Sequence, residues 1–394
     1  MYTGRIIFSQ LMDVVPKYEF RKIVDRHNGD YRAQKLSCSD QFLCMCFGQL
    51  TFRASLRDLT STLEALGSRR YHMGIKTTVP LSTLSYANAH RPWQIYQDLA
   101  MVLIAHAQKL YGKDELTESI KILDSTTIDL CLSLFPWAVF RSRKAAIKLH
   151  TLMDLEGAIP TFIHISDGKT NDMKILDMIP ILAGSIYIMD RGYLDFERLY
   201  HLHSQGGRFV IRAKKNLHYY RKSSTPVDPT SSLQCDQIIR QTGPKSKNRY
   251  PETLRRVRLI DPETKQHIVL LTNITGCDPA RIADYYKSRW QIELFFKWIK
   301  QNLRIKAFYG QTVNAVKTQI WTAICTYLIM IISHKSHHFN ASLHTMMQVL
   351  SVAILERISL KELFSEQSLM NLESHPRNQL GSLTNNWILV NQYD

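Results

Sequence analysis

The stretch IKILDSTT, residues 120–127, is where the sequence changes from a helical to a strand pattern, and it places Asp124 directly after Ile122 and Leu123. A second stretch, IYIMDRGY at residues 186–193, contains a wholly apolar strand that ends at Asp190. A carboxylate at the end of a buried strand is costly unless it binds something or is paired. The two stretches therefore predict adjacent strands that each present one aspartate, either to a ligand or to a turn or an arginine.

The elements around these strands indicate the fold class. Residues 145–153 and 159–165 are β-rich and are separated by a tight turn. Residues 171–180 and 195–204 are predicted helices, and residues 209–213 a further strand. The order three strands, helix, strand, helix, strand predicts an α/β protein with a mixed sheet flanked by helices.

The segment from 217 to 275 interrupts this regular order and reads as a β-rich insertion. Two strands are predicted in it, at 253–260 and 267–274, after a Pro/Ser/Thr-rich stretch at 223–232 and a turn at 243–248. Between residues 208 and 260 there are 13 Lys and Arg against three acids. The insertion is therefore expected to be the most basic part of the chain.

A long helix is predicted after the insertion, from about residue 279 to about 303. Its residues Tyr286, Arg289, Glu293 and Lys300 fall at i, i+3, i+7 and i+14, and project within about a 60° sector of one straight helix. Taken alone, this is also the pattern of an amphipathic helix with solvated ion pairs. Together with the two aspartates, Glu293 completes an oxygen-rich set suited to two Mg²⁺ or Mn²⁺ ions, which would activate a nucleophile at a phosphodiester.

The chain is strongly basic. Its 394 residues contain 50 Lys and Arg against 34 Asp and Glu, a formal net charge of +16. Such a charge attracts polyanions, so nucleic acid is the first partner to expect and an acidic membrane surface the second. The longest apolar run, residues 320–332, is short of the roughly 20 residues of a spanning helix, and the N-terminus lacks a secretory apolar core. We expect a cytoplasmic protein without membrane contact.

Three motifs together resemble a known family. LDST at 123–126, MDRGY at 189–193 and the pattern Tyr286-x2-Arg289-x3-Glu293-x6-Lys300 are similar to the DDE transposases of insertion-sequence family four, with their Y-x2-R-x3-E-x6-K signature. The segment KAAIKLHT at 144–151 resembles their second-strand region. The resemblance implies a ribonuclease-H-like fold interrupted by a β-rich insertion before the glutamate helix.

The resemblance also implies roles for individual residues. Asp124, Asp190 and Glu293 would bind the metal ions, and Tyr286, Arg289 and Lys300 would contact DNA phosphates near the cleaved end. In relatives an insertion tryptophan stacks on a flipped base, but all six tryptophans here lie outside residues 214–275. An aromatic face of another kind could stack that base; the candidates are Tyr219, Tyr220 and Tyr250.

Basic residues at the end of strand 209–213 are further candidates for DNA contact. They are Arg212, Lys214 and Lys215. The alternative is that they form only a solvated strand end.

Together the patterns and the resemblance predict a cut-and-paste DNA transposase that is associated with the nucleoid of a bacterium. The expected parts are an N-terminal helical DNA-binding region at 1–117, a catalytic core at 118–216 and 276–330, the basic insertion at 217–275, and a C-terminal helical region and tail at 331–394. The enzyme would cleave at terminal inverted repeats and join the freed 3′-hydroxyl to target DNA, as a homodimer on DNA. The alternatives are a ribonuclease-H-like nuclease that cuts without joining and a former transposase that only binds DNA.

Overall fold

The computed structural model describes residues 4–112, 118–141, 144–228, 230–261, 264–302 and 308–365. The helices are α1 Ile7–Leu11, α2 Lys17–Arg26, α3 Cys38–Leu50, α4 Leu56–Ala65, α5 Leu81–His90, α6 Gln94–Leu110, α7 Phe196–Ser204, α8 Pro244–Arg249, α9 Pro279–Lys287, α10 Trp290–Asn302, α11 Val313–His337, α12 Leu343–Ala353 and α13 Leu360–Leu363. The strands are β1 Ile120–Leu130, β2 Val139–Arg141, β3 Lys144–Asp154, β4 Ile159–Asp167, β5 Ile186–Met189, β6 Arg208–Arg212, β7 Tyr219–Thr225, β8 Leu233–Gln241, β9 Leu254–Ile260 and β10 His267–Thr272.

All ten strands belong to one mixed sheet. Its order is β2-β3-β1-β5-β6-β10-β9-β8-β7, and β4 also pairs with β3. The central strands β1, β5 and β6 run parallel to one another, whereas β3 and β10 pair with them antiparallel. Every residue of β5 is buried, as expected of a parallel strand covered on both faces. The predicted ribonuclease-H-like α/β fold is therefore confirmed.

Helices cover both faces of this sheet. On one face the core includes Leu123, Met189 and Ile211, packed with Leu199 and Leu202 of α7. Because side chains alternate along a strand, the residue that follows each of these three, such as Asp124 after Leu123, faces the other side of the sheet. Helix α9 packs on that second face against β5, β6, β8 and β9.

The basic segment contains more regular structure than its sequence predicted. No strand was predicted between residues 217 and 252, yet β7 and β8 lie there, and α8 replaces the expected turn at 243–248. Strand β7 is exposed along nearly all of its length, so it lacks the apolar alternation that marks a strand in sequence. Strand β10 pairs with β6, so β7 to β10 extend the same sheet.

The long helix predicted after this segment is broken. Helix α9 ends at Lys287 and α10 begins at Trp290. At the junction the Ser288 hydroxyl donates to the Tyr285 carbonyl at 2.7 Å, and the next backbone bonds span three residues instead of four. A serine that competes for a helix carbonyl in this way favours a bend. The single straight helix is thus wrong, and its expected last residue, Leu303, lies outside the described residues.

The described residues up to Tyr111 and from Trp298 onwards form a second compact unit, which is helical. Helix α11 is its core helix and packs against α3, α5 and α6. By length and composition α11 could cross a membrane, but 94% of its most apolar window is buried within the protein. The predicted boundary at residue 330 falls within α11, whose contacts are with helices of this unit.

Candidate active site

Strand register places the two predicted aspartates side by side. Leu123 of β1 lies opposite Met189 of β5, so the residues that follow, Asp124 and Asp190, are neighbours on the same face. Met189 in turn lies opposite Ile211 of β6, which puts Arg212 next to Asp190. The three central strands therefore present two acids and one cation in a row.

Arg289 links this row to Glu293. Its Nη1 donates to Asp124 Oδ2 at 3.0 Å, and its Nη2 donates to Glu293 Oε1. Glu293 lies in the first turn of α10, directly after the break that follows α9. The break thus turns Arg289 and Glu293 together toward β1, so two carboxylates from distant parts of the chain share one guanidinium.

The pKa of Asp124 shows that Asp190 also lies close to this site. Burial raises the pKa of Asp124 to about 6; the charges of Asp190 and Glu293 add to this rise, while Arg289 and the Ser125 N–H oppose it. We call Asp124, Asp190 and Glu293 the carboxylate triad. A buried acid surrounded by acids needs a cation, and Arg289 supplies one here.

Tyr286 completes the group of residues that the structure brings together. The Arg289 guanidinium lies 5.9 Å from the centre of its ring. Burial raises the pKa of Tyr286, and the charge of Asp190 raises it further, against the effects of Arg289 and Arg212. The phenol therefore lies among the acids and arginines of the site, although it is on a different helix from Glu293.

The triad has the chemistry of a Mg²⁺ or Mn²⁺ site, because its donors are all carboxylate oxygens. Within the described residues, however, no group of three His, Cys, Asp or Glu side chains could hold a metal ion as arranged. In this arrangement the Arg289 guanidinium lies between Asp124 and Glu293. The residues fit such an ion in type and number, provided that Arg289 releases both carboxylates.

The remaining predicted residues have mixed outcomes. Lys300 is partly exposed and belongs to the helical unit. Lys214 and Lys215 are exposed, and the Lys214 Nζ donates to the Leu194 carbonyl at 3.3 Å.

The three candidate tyrosines differ sharply in accessibility. Tyr220 is exposed. Tyr219 is partly buried against the core and lies under the Arg256 guanidinium at 5.2 Å. Tyr250 is fully buried, and its hydroxyl is 2.8 Å from His203 Nδ1. Tyr250 is therefore excluded as a base-stacking residue.

Sequence reasoning missed a polar network on the opposite face of β1. Asp172 accepts hydrogen bonds from Ser125 Oγ at 2.9 Å and from Lys148 Nζ at 3.2 Å. His150 is fully buried, with Nε2 2.9 Å from Ser166 Oγ and Nδ1 3.5 Å from Asp172. Since Ser125 directly follows Asp124, this network fixes the strand that presents Asp124.

The network also perturbs its histidine. Burial lowers the pKa of His150 to about 4; Asp172 opposes this shift, and His164 and Lys148 add to it. The signal in the sequence was the alternation of Lys148 and His150 within an apolar strand.

A sheet that presents adjacent aspartates, with a glutamate on a later helix, defines the class of DDE enzymes. Comparison with known proteins agrees: residues 115–329 match the family model described as Transposase DDE domain, and residues 3–76 match a domain of unknown function, DUF4372. The chain belongs to the DDE transposase family.

Individual relatives are similar over about two thirds of their length. The Sinorhizobium fredii protein y4zB, named as a transposase, is 32% identical over 252 residues, which cover 63% of this chain and 69% of the relative. A Geobacillus stearothermophilus protein named as a transposase for insertion sequence element IS5377 is 28% identical over 63% of this chain and 66% of its own. A Synechocystis protein named for element IS4SA is 27% identical over 64% of this chain and 71% of its own.

Proposed function

We propose that the protein is the transposase of an insertion sequence, of the family-four type with the Y-x2-R-x3-E-x6-K signature. It would cut at the terminal inverted repeats of its element and join the freed 3′-hydroxyl to target DNA. The observation that carries this proposal is the link that Arg289 makes between Asp124, beside Asp190 in the sheet, and Glu293 on α10. The names of the Geobacillus and Synechocystis relatives, which refer to insertion sequence elements, support it.

The carboxylate triad would hold Mg²⁺ or Mn²⁺, with two ions the expected number. When bound, such ions activate the attacking oxygen and stabilise the leaving oxygen at a phosphodiester. The chain's own contribution is to hold three oxygen donors on rigid elements and to supply a guanidinium that can exchange partners. Once released from Asp124 and Glu293, Arg289 would donate both Nη groups to a DNA phosphate, whose geometry suits its planar fork.

The other cations would position DNA along the sheet. Arg212 lies beside Asp190, and the exposed Lys214 and Lys215 follow the end of β6. Tyr286 and Lys300 would add phosphate contacts near the cleaved end. Of the candidate aromatics, Tyr220 is the one whose exposure suits stacking on an extruded base.

DNA joining also sets requirements on the whole chain. Two element ends must be held together, so we propose a homodimer on DNA. We assign residues 1–117 to DNA binding and residues 217–275 to the basic insertion that follows the first part of the core. The reaction would take place on bacterial DNA in the cytoplasm.

The test is incubation of the full chain with duplexes that carry its own element ends, in Mg²⁺, followed by separation of nicked and joined products. The proposal predicts 3′ nicks and joined products, and loss of both in excess chelator. Nicks without joining would establish the nuclease alternative, and end binding without cleavage would establish a DNA-binding protein. Ca²⁺ should support binding with little cleavage, because its looser coordination positions the reacting oxygens poorly.

A further inference from the structure

The loop between α2 and α3, residues 27–37, has an exposed tip on a fixed base. Tyr31 is 72% exposed, and every residue from it to Lys35 is exposed. In contrast, the preceding Gly29 packs so tightly that a Cβ there would lie 2.4 Å from Ile95 Cδ1. An exposed loop tip on a rigid base is a common position for residues that bind a partner.

Hydrogen bonds hold the two ends of this loop. Asp30 Oδ1 accepts from the Cys38 N–H at 2.6 Å, just after the Ser37 cap of α3. At the other end, the half-buried Arg91 donates to the Leu36 carbonyl and to Gln41 Oε1. The tip therefore needs little reordering when it meets a partner.

Arg32 at the tip adopts an unusual backbone conformation. Its φ is +56°, a region that costs a residue with a side chain about 1 kcal/mol or more. Its guanidinium lies 5.1 Å from the centre of the exposed Tyr31 ring. Gly or Asn would fit this backbone more easily, so the presence of a strained arginine points to a use for its charge.

A second basic segment lies against the loop. The Thr77 hydroxyl donates to the Lys35 carbonyl at 2.7 Å, and its neighbour Lys76 is exposed. Residues 31–37 and 67–80 together contain no Asp or Glu. Their cations are Arg32, Lys35, Arg69, Arg70 and Lys76.

We propose that Tyr31, Arg32, Lys35 and Lys76 form a DNA-backbone contact, which we call the tip surface. The cations would pair with phosphates of duplex DNA, and Tyr31 would pack on the sugar edge beside them. The contact would position DNA without reading its sequence, because phosphates carry no base information. This inference rests on the proposed function and assigns a surface of the helical unit to its substrate.

The test uses the full chain, a labelled duplex carrying an element end, and binding measured over a salt series without divalent metal. Each phosphate contact contributes about 0.9 to the slope of log K against log salt. The double variant Lys35→Gln/Lys76→Gln should flatten the slope by about 1.8. The matched control, Lys109→Gln/Lys361→Gln, removes the same charge from exposed positions on α6 and α13 and should change the slope little.

The outcomes separate this inference from the proposed function. Equal slopes for the two double variants would overturn the tip surface while leaving the transposase proposal intact. A wild-type chain that binds no DNA at all would overturn both.

A second variant tests the strained arginine. Arg32→Gly should keep or raise the midpoint of thermal unfolding, because glycine adopts a positive φ without strain, yet it should weaken DNA binding several-fold. Tyr31→Ala should weaken binding without changing the salt slope, since a packed ring releases no counterion. Unchanged binding by Arg32→Gly would mean that its conformation serves the fold alone.

Discussion

Two arginines on the same face of the sheet make contrasting contacts with carboxylates. Arg255 donates to both oxygens of Asp236, each at 2.8 Å, and to the Cys277 carbonyl at 2.7 Å, with both side chains at most 7% exposed. Arg289 divides its two Nη groups between Asp124 and Glu293, and its Nε is buried without a hydrogen-bond partner among the described residues. The Arg255 guanidinium is held by one acid and one backbone carbonyl, whereas the Arg289 guanidinium is shared between two acids and is incompletely satisfied.

The difference separates a structural ion pair, Arg255 with Asp236, from the Arg289 pair, which we propose is exchangeable. The Arg255 pair fixes the chain at Cys277, directly before α9, and so supports the helix that carries Tyr286. Arg289 lies among more acids than it can neutralise, at the edge of three strands. A charged group held in this way can change partners, which DNA cleavage would require of it.

The largest expected effect is on the structural pair. Asp236→Ala should lower the free energy of unfolding by about 3–5 kcal/mol, because it leaves a buried arginine unpaired. Denaturant unfolding measures this loss. The double variant Asp236→Leu/Arg255→Met should recover most of it, and a loss below about 1 kcal/mol in the single variant would mean that the pair does not support the sheet.

The buried His150 extends the comparison to the other face of the sheet. Its lowered pKa of about 4 means that the unfolded chain binds the proton more readily between pH 6.5 and 4. Its contribution to stability is therefore complete above pH 6.5 and is lost progressively, by about 3 kcal/mol, as pH falls from 6.5 to 4. His150→Gln should make unfolding less pH-dependent across that range, and an unchanged pH profile would contradict the burial of a neutral imidazole.

Replacing Arg289 should affect DNA cleavage more than stability, whereas replacing Asp236 should affect mainly stability. Arg289→Gln should lower the free energy of unfolding by about 1–3 kcal/mol, less than Asp236→Ala, because the Arg289 side chain is 19% exposed and the Arg255 side chain 5%. It should nevertheless lower end cleavage by about 100-fold or more, as expected for a lost donor at a reacting phosphate. Arg191→Gln, an exposed neighbour of Asp190, is the control and should cleave normally; equal losses in the two variants would remove the special role of Arg289.

The smallest effect on stability is expected at Tyr220. Tyr220→Ala should change the free energy of unfolding by less than about 0.5 kcal/mol, since the ring is exposed. It should slow end processing, because the variant loses about 1–3 kcal/mol of stacking on the extruded base. Tyr86→Ala, an exposed tyrosine of the helical unit, serves as the control, and normal processing by Tyr220→Ala would leave the insertion without a base-stacking aromatic.

The central strands were predicted well from the sequence, because short, wholly apolar runs between turns are typical of buried strands. Strand β5 has the predicted bounds, and the adjacency of Asp124 and Asp190 follows from the parallel pairing of two such runs. Strand β7 was missed because an exposed edge strand is held by its partner and not by its own residues.

The break at Ser288 was also beyond the sequence pattern. Apolar residues continue with helical spacing across it, so periodicity favoured one helix, whereas the hydroxyl bond to Tyr285 depends on the local backbone. Arg289 and Glu293 lie together in the structure, as the helical spacing predicted. However, Arg289 lies in the break between two helices and not within one straight helix. The contact of Arg289 with Asp124 could not be predicted, because it joins residues 165 positions apart.

The variant Asp190→Asn shows whether the carboxylate triad carries the reaction. The change keeps the shape of the side chain and removes its charge, and end cleavage in Mg²⁺ is measured beside Asp129→Asn, which alters an exposed acid of the same sheet. We predict that Asp190→Asn binds element ends but makes no 3′ nicks, while Asp129→Asn cleaves as the unmodified chain does. Cleavage by Asp190→Asn at the rate of the unmodified chain would mean that the carboxylate triad does not carry the reaction.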